Sequence, residues 1–286
     1  MEDSTPALCV CVLLYGADEQ CFHLAQRVFN TPMLELSNHN VELRIGLNAV
    51  GDQTRSFVRD VVLPRFPDAV VIESEENIFK YPMMRRMLHE KPLHAPFTMW
   101  FDDDSCFAPD CDVSAWLPRV YKLMAVYTMV GSMYRQKLLG NQAAWLKTQW
   151  WFNHKPVSPY IKFITGGWWT IHSSTLLRFD WPLADLRHRG GDVMLGVLCE
   201  QHGLPITHFR DGLWINADDS GRESKAPRRG YNERPIGVDY TPGVAAQPLS
   251  RSFLVKLGKC CGARCQNCPY DPRHVYGSTQ VRGETP

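Results

Sequence analysis

The 286-residue, 32.7 kDa chain is longer than an ordinary single domain, and one large α/β unit with a small appendage accounts for its length. With 44% hydrophobic, 11% aromatic and 21% charged residues it can bury a full core, which excludes wholesale disorder, collagen and coiled coil. A formal charge of +1 and a pI near 7.6 provide no global field for nucleic acid or anionic lipid, so such a partner requires a local patch.

The start, Met1 to Pro6, is acidic and lacks the basic region of a signal peptide. The longest apolar run, Ala7 to Tyr15, is far short of the roughly 20 residues that a membrane helix needs. The expectation is a soluble, cytoplasmic chain with no membrane partner. Leu8 to Tyr15 is a continuous β-favouring run closed by Gly16, and Ala17 to Phe29 then sets Phe22, Leu24, Ala25, Val28 and Phe29 at helical spacing. Val41 to Leu47 alternates into Asn48, a helix is expected from about Thr54 to Val62, Ala69 to Ile72 forms a third strand and Pro96 to Phe101 a fourth. Strands alternating with helices predict an α/β fold with a largely parallel sheet, whose ligands sit at the carboxyl ends of the strands. After Trp214 the chain becomes polar and turn-forming, from Asn216 to Gly230, and a Cys-rich stretch follows. The expected division is a main domain over residues 1–250 and a small tail over 251–286.

Asp102-Asp103-Asp104 directly follow the fourth strand. Three consecutive carboxylates at the open edge of a sheet repel one another unless a cation or donors compensate them, and a hard divalent ion takes oxygen ligands of this kind. The rival reading is a solvated turn or an Asp N-cap.

In this context the sequence resembles the nucleotide-sugar-dependent glycosyltransferases of the GT-A fold, nearest to the large inverting family two group. The resemblance runs in order from residue 7 to about 210. It implies a GT-A, Rossmann-like, mostly parallel central sheet with helices on both faces. It also implies that Asp102, Asp103 and Asp104 form the Asp-x-Asp segment, with Asp104 and Asp102 on Mn²⁺ or Mg²⁺ and Asp102 toward the nucleotide. Thr165-Gly166-Gly167-Trp168-Trp169 resembles the family's Gly-Gly segment. Gly190-Gly191-Asp192 resembles its Gly-Glu-Asp helix start, so Asp192 is expected to be the catalytic base. Arg85 or Arg86 falls where the family often places an arginine near the nucleotide, and His208 where some relatives supply a third metal ligand. The implied reaction is inverting transfer of a sugar from a nucleoside diphosphate, expected to be UDP, to an acceptor hydroxyl. Departures occur at Leu47 to Asp52, where the family carries Asp-Asp-Gly-Ser, and at Gly191-Asp192, where it carries Glu-Asp.

The chemistry needs these residue types. Breaking a sugar–phosphate bond leaves charge on the diphosphate, which a divalent ion and nearby cations stabilise, while a carboxylate takes the acceptor proton. The residues alone leave other roles open: Asp192 as an N-cap for a helix carrying Val193, Met194, Val197 and Leu198 on one face, Arg85 and Arg86 as surface residues, and His208 as a structural histidine. A nucleotidyltransferase and a non-catalytic, metal-stapled binding module are the rival functions.

Three features bear on the acceptor. Trp150, Trp151, Phe152, Trp168 and Trp169 are either a stacking platform for sugars or bases, or core. The loop Arg222 to Arg229, with Arg228 as the donor-binding candidate, is either a lid over a diphosphate or a plain solvated loop. Residues 251–286 carry six Lys/Arg against two Asp/Glu. With the loop and the tryptophans they suggest a cationic, stacking surface for DNA bearing 5-hydroxymethylated bases, with a saccharide or small molecule as the alternative acceptor. In the tail, Cys260, Cys261, Cys265 and Cys268 crowd at zinc-like spacing, with His274 able to replace one of the adjacent pair, so a structural Zn²⁺ is expected and an iron–sulfur cluster is its rival. The run from Cys260 to Tyr270 also resembles a short Cys-Cys-Gly-x-x-Cys-x-x-Cys-Pro-Tyr motif of small, poorly characterised domains, which implies no activity.

Overall fold

A computed structural model describes residues 5–138, 140–184, 186–187, 190–215, 251–256, 258–260, 268–273, 275 and 277–282. The order is β1 (Leu8–Tyr15), α1 (Glu19–Val28), α2 (Thr31–Glu35), β2 (Val41–Asn48), α3 (Asp52–Phe57), β3 (Val70–Ser74), α4 (Lys80–His89), β4 (Phe97–Asp102), β5 (Cys106–Phe107) and α5 (Val113–Met124). Then come β6 (Met129–Lys137), α6 (Gly140–Leu146), β7 (Tyr160–His172), α7 (Ser173–Arg178), α8 (Gly191–His202), β8 (Ile206–His208), β9 (Leu213–Trp214) and α9 (Arg251–Lys256).

Seven strands form one sheet in the order β3-β2-β1-β4-β7-β6-β8, and β5 pairs with β9 in a second ladder. All neighbours are parallel except at β7, which runs antiparallel to both β4 and β6. The expected mostly parallel sheet is therefore observed, with a single reversed strand in its interior. β1 is central and buried on both faces, which is why it reads as an unbroken apolar run. Cys9, Cys11 and Leu13 point to one side, among residues of α4, α7 and α8, and Leu8, Val10, Val12 and Leu14 to the other, among residues of α1, α2 and α5. The strand period of two thus separates two apolar layers, with helices on both faces.

Local chemistry sets several boundaries. Gly16 ends β1 at φ +89°, and Asp18 caps α1 by accepting from the Cys21 N–H at 2.8 Å. Asn30 and Asp112 cap α2 and α5 in the same way. The helix expected from Thr54 to Val62 starts earlier, at Asp52, and after Phe57 continues as a π-helical turn from Val58 to Val62. α8 departs further from expectation. It buries nearly its whole circumference, including Leu195, Gly196 and Cys199, because it passes between other elements instead of lying on the surface. Among the described residues, no helix is long and apolar enough to cross a membrane.

Candidate active site

The carboxyl ends of β1, β2 and β4 point the same way, and the start of α4 lies beside them. The approach to α4 is held by side chains. Asn48, fully buried at the end of β2, accepts from the Ile78 N–H at 3.0 Å and donates to Asn77 Oδ1 at 3.1 Å. Asn77 Oδ1 also accepts from the Phe79 N–H, where the backbone takes φ +70°, uncommon for a side chain of this size. The turn delivers Lys80 and Tyr81 into the interior as the first residues of α4.

Lys80 Nζ donates to Asp102 Oδ2 at 2.6 Å and to the Gly166 carbonyl at 2.9 Å. Trp100 Nε1 donates to the other oxygen of Asp102 at 2.8 Å. Gly166, in β7, turns its N–H to Asp192 Oδ2 at 2.9 Å, and the Tyr81 hydroxyl donates to Asp192 Oδ1 at 2.9 Å. One glycine and two adjacent helix residues therefore join the end of β4 to the start of α8. The reversal of β7 makes this possible, since Trp168 pairs with Phe101 and so sets the two preceding glycines beside the end of β4.

A side chain on either Gly166 or Gly191 would displace its neighbours. A Cβ on Gly166 would collide with Lys80 Nζ and stand 2.8 and 3.0 Å from the two oxygens of Asp192. One on Gly191 would run into the Tyr81 ring. Gly190, which precedes α8, has φ +84°.

Electrostatics follow from burial. Desolvation pushes the Asp102 carboxyl up to about 7, with Lys80 pulling it down and Asp104 adding to the rise. Burial works against the Lys80 ammonium, but the fields of Asp102, Asp192 and Asp104 outweigh it and hold its pKa above the ordinary lysine value. Burial, and then the neighbouring Asp192, raises Tyr81 well above the ordinary phenol value, so it acts as a donor. With all three carboxyls ionised, the one ammonium leaves an excess of negative charge, which suits a divalent cation.

The sequence-derived candidates separate clearly. Asp102, Gly166 and Asp192 come together, and Asp104 acts electrostatically on Lys80 and Asp102. Asp103 is buried and Asp104 half-buried, the latter accepting from Ser105 Oγ at 3.4 Å. Gly167 follows Gly166, buried in β7. Asp192 is not an N-cap, since Gly190 holds that position and the Asp192 carboxylate is bound by Tyr81 and Gly166. Arg85 grips both carboxylate oxygens of Asp180 and the carbonyls of Asp180 and Pro182. Arg86 holds Glu90 and the Glu73 carbonyl. His208 ends β8, three strands from β4 and so on the order of 14 Å across the sheet, and its Nδ1 accepts from the Met133 N–H at 3.1 Å. None of these three joins the carboxylates.

Trp151, Phe152, Trp168 and Trp169 are core residues, with Trp169 stacked on Trp100 and Trp168 against Trp116, so the expected stacking platform reduces to Trp150. Arg228, Cys261, Cys265 and His274 lie outside the described residues, as does the loop of 222–229. Among the described residues no three His, Cys, Asp or Glu side chains form a metal cage. Lys80, Tyr81 and Trp100 were missed from sequence. The available signal was that Lys80-Tyr81 open a helix just after a strand, at the sheet edge where α/β proteins place ligands.

No protein-family model and no curated protein matches this sequence. Solved structures with a similar fold include the mannosyltransferase PcManGT from Pyrobaculum calidifontis in complex with GDP-Man and Mn²⁺, at 15% identity and a TM-score of 0.48, over 73% of this chain and 56% of that one. Another is S. aureus TarS 1–349 in complex with UDP-GlcNAc, at 14% identity and a TM-score of 0.40, over 71% of this chain and 56% of that one. This chain thus spans a little over half the length of either structure.

Proposed function

We propose that the protein is a metal-dependent glycosyltransferase that moves a sugar from a nucleoside-diphosphate donor, with UDP-sugars the first to test, to an acceptor hydroxyl with inversion at the anomeric carbon. The observation that carries this reading is the joint anchoring of strand-end Asp102 and helix-start Asp192 through Lys80, Gly166 and Tyr81. In the reaction the acceptor oxygen bonds to the anomeric carbon as the bond to the diphosphate oxygen breaks. The electron pair leaves with the diphosphate, and the hydroxyl proton passes to Asp192.

The residues fit a divalent ion. Asp104 and Asp102 would hold it: each oxygen of Asp102 accepts one bond, from Lys80 or Trp100, and keeps a lone pair. One or two carboxylates plus substrate phosphates suffice for Mg²⁺, which needs no all-protein cage, and Mn²⁺ is the alternative ion. When bound, the ion neutralises charge on the departing diphosphate. Tyr81 and Gly166 orient Asp192, and each of its oxygens keeps a lone pair for the acceptor proton, since a carboxylate accepts about four hydrogen bonds. Lys80 keeps the neighbouring carboxylates from expelling one another.

The acceptor reading is narrower than the sequence suggested. With four of the five aromatics in the core, hydroxymethylated DNA loses its expected stacking surface and stays as one arm of the test beside saccharides and small molecules. Labelled UDP-sugars with Mn²⁺ or Mg²⁺ are to be offered to glycans, small hydroxyl compounds, and hydroxymethylated and plain DNA. Transfer with release of UDP is expected, and it should be abolished in Asp104→Ala and Asp192→Asn. Release of pyrophosphate from a nucleotide would instead indicate a nucleotidyltransferase, and full turnover by both variants would remove the assignment.

A further inference from the structure

We infer that Cys260 and Cys268 are two ligands of a tetrahedral, thiolate-held Zn²⁺ that orders the tail, separate from the sheet-edge site. Their sulfurs lie 3.7 Å apart. That is far beyond the roughly 2.05 Å of a disulfide, and it matches the edge of a tetrahedron with Zn–S bonds of about 2.3 Å, which is about 3.8 Å. Distance alone does not make a site, because Cys9 and Cys11 stand 3.8 Å apart on β1. Those two are embedded in one of the large apolar layers, whereas among the described residues of the tail the buried apolar cluster is Cys260, Cys268 and Tyr270, with Val281 packed against it.

The described part of the tail has a definite backbone pattern. Tyr270 and Val281 bridge antiparallel, the Cys260 N–H donates to the Ser278 carbonyl at 2.7 Å, and its carbonyl accepts from the Gly277 N–H at 2.8 Å. The Tyr270 hydroxyl donates to the Leu254 carbonyl of α9 at 2.8 Å. Small segments of this kind are ordinarily stapled. Residues 261–267 lie outside the described residues and contain Cys261 and Cys265, the latter at Cys-x-x-Cys spacing with Cys268. A four-thiolate zinc centre carries two negative charges, and the excess of six Lys/Arg over two Asp/Glu in 251–286 has the sign to balance them.

The test uses full-length protein purified under reducing conditions without chelator. Elemental analysis should find one zinc per chain in the wild type and in Cys111→Ser, and less than a tenth of that in Cys260→Ser and Cys268→Ser. Because those variants can fail to fold, the wild type is also pulsed with N-ethylmaleimide and mapped by mass spectrometry. Cys260 and Cys268 should be at least tenfold better protected without a strong zinc chelator than with one. Metal-free protein, iron with visible colour, a Cys260–Cys268 disulfide, or labelling indifferent to the chelator would each overturn the proposal. Sugar transfer plays no part in these readouts, so their result is independent of the reaction assigned above.

Discussion

The Tyr81 hydroxyl donates to Asp192 Oδ1 across 2.9 Å, although 111 positions separate them in the chain. Tyr81 is 3% exposed and has its ring edge-on to Trp181, so the hydroxyl is held where it is and is not a surface group that happens to reach the carboxylate. Among the described residues, removing it leaves Asp192 with the Gly166 N–H as its remaining donor. Tyr81→Phe keeps the ring and should cost about 1 kcal/mol of stability, the usual worth of one hydrogen bond. If Asp192 is the base, kcat should fall about tenfold with the donor KM unchanged. A fall in donor KM affinity with kcat preserved would place Tyr81 on the donor side instead.

Lys80 and Asp102 form a pair with side chains only 12% and 20% exposed. Breaking a buried pair by removing one partner leaves an uncompensated charge, typically at about 3–5 kcal/mol. Lys80→Met should therefore lower the urea midpoint strongly, Asp102→Asn less so, and the double variant should recover part of the loss. Strict additivity of the two single changes in a double-mutant cycle would show that the pair does not act as a unit.

Gly166 gives a sharper steric test, because its α-carbon faces Lys80 and Asp192 at once. Gly166→Ala should destabilise by about 1–3 kcal/mol, the usual range for overpacking, and should abolish transfer, since the methyl group displaces both partners. Retained activity with a lowered urea midpoint would mean that the strand relaxes without disturbing the carboxylates.

How legible was this in the sequence? The boundaries of β1, β2 and β4 were read to within one residue because β1 and β4 are largely apolar runs, β2 alternates, and Gly16 closes the first. β7 escaped because Gly166 and Gly167 lie in the middle of its 13 residues, where glycine ordinarily argues against a strand. Here the missing side chain of Gly166 makes room for Lys80 and Asp192. Asp102 and Asp192 could be picked out as candidates, whereas Lys80 and Tyr81 carried only their position at a helix start by the sheet edge, because their partners are 22, 86 and 111 residues away and only the fold brings them together. The tryptophans misled for a different reason. A flat apolar ring suits a ligand or a core equally well, and only the burial of Trp168 and Trp169 decides between them.

Arg44 was also invisible from sequence. It is fully buried, and its guanidinium donates to the carbonyls of Met87, Lys91 and Pro92 while pairing with Glu42. It thereby closes the carboxyl end of α4, the helix whose other end carries Lys80 and Tyr81. Arg44→Lys cannot reproduce the fork and should cost about 2–4 kcal/mol by leaving buried carbonyls unpaired. Hydrogen exchange should show the loss first in residues 84 to 92, and uniform protection loss across the sheet would argue against this local role.

Cys199 on α8 provides a test of pH dependence. Burial pushes its thiol up to about 12. In the unfolded chain a cysteine titrates near 8.5, so between those values the folded state holds a proton that the unfolded state has released. Stability from this source is intact below about pH 8.5 and falls as the pH rises toward 12, by about 1.4 kcal/mol per unit at most. Other raised groups, including Cys9 through its Cys11 hydrogen bond and burial and Tyr81 through burial, add to the alkaline decline, so the informative quantity is a difference. Cys199→Ala removes one such group. Its stability deficit relative to wild type, measured by urea unfolding, should shrink by about 1–2 kcal/mol between pH 8 and pH 10. Native wild-type protein should also leave Cys199 unmodified by iodoacetamide at pH 8. A deficit that stays constant across that range, or rapid alkylation of the native thiol, would show that Cys199 is not held protonated by the fold.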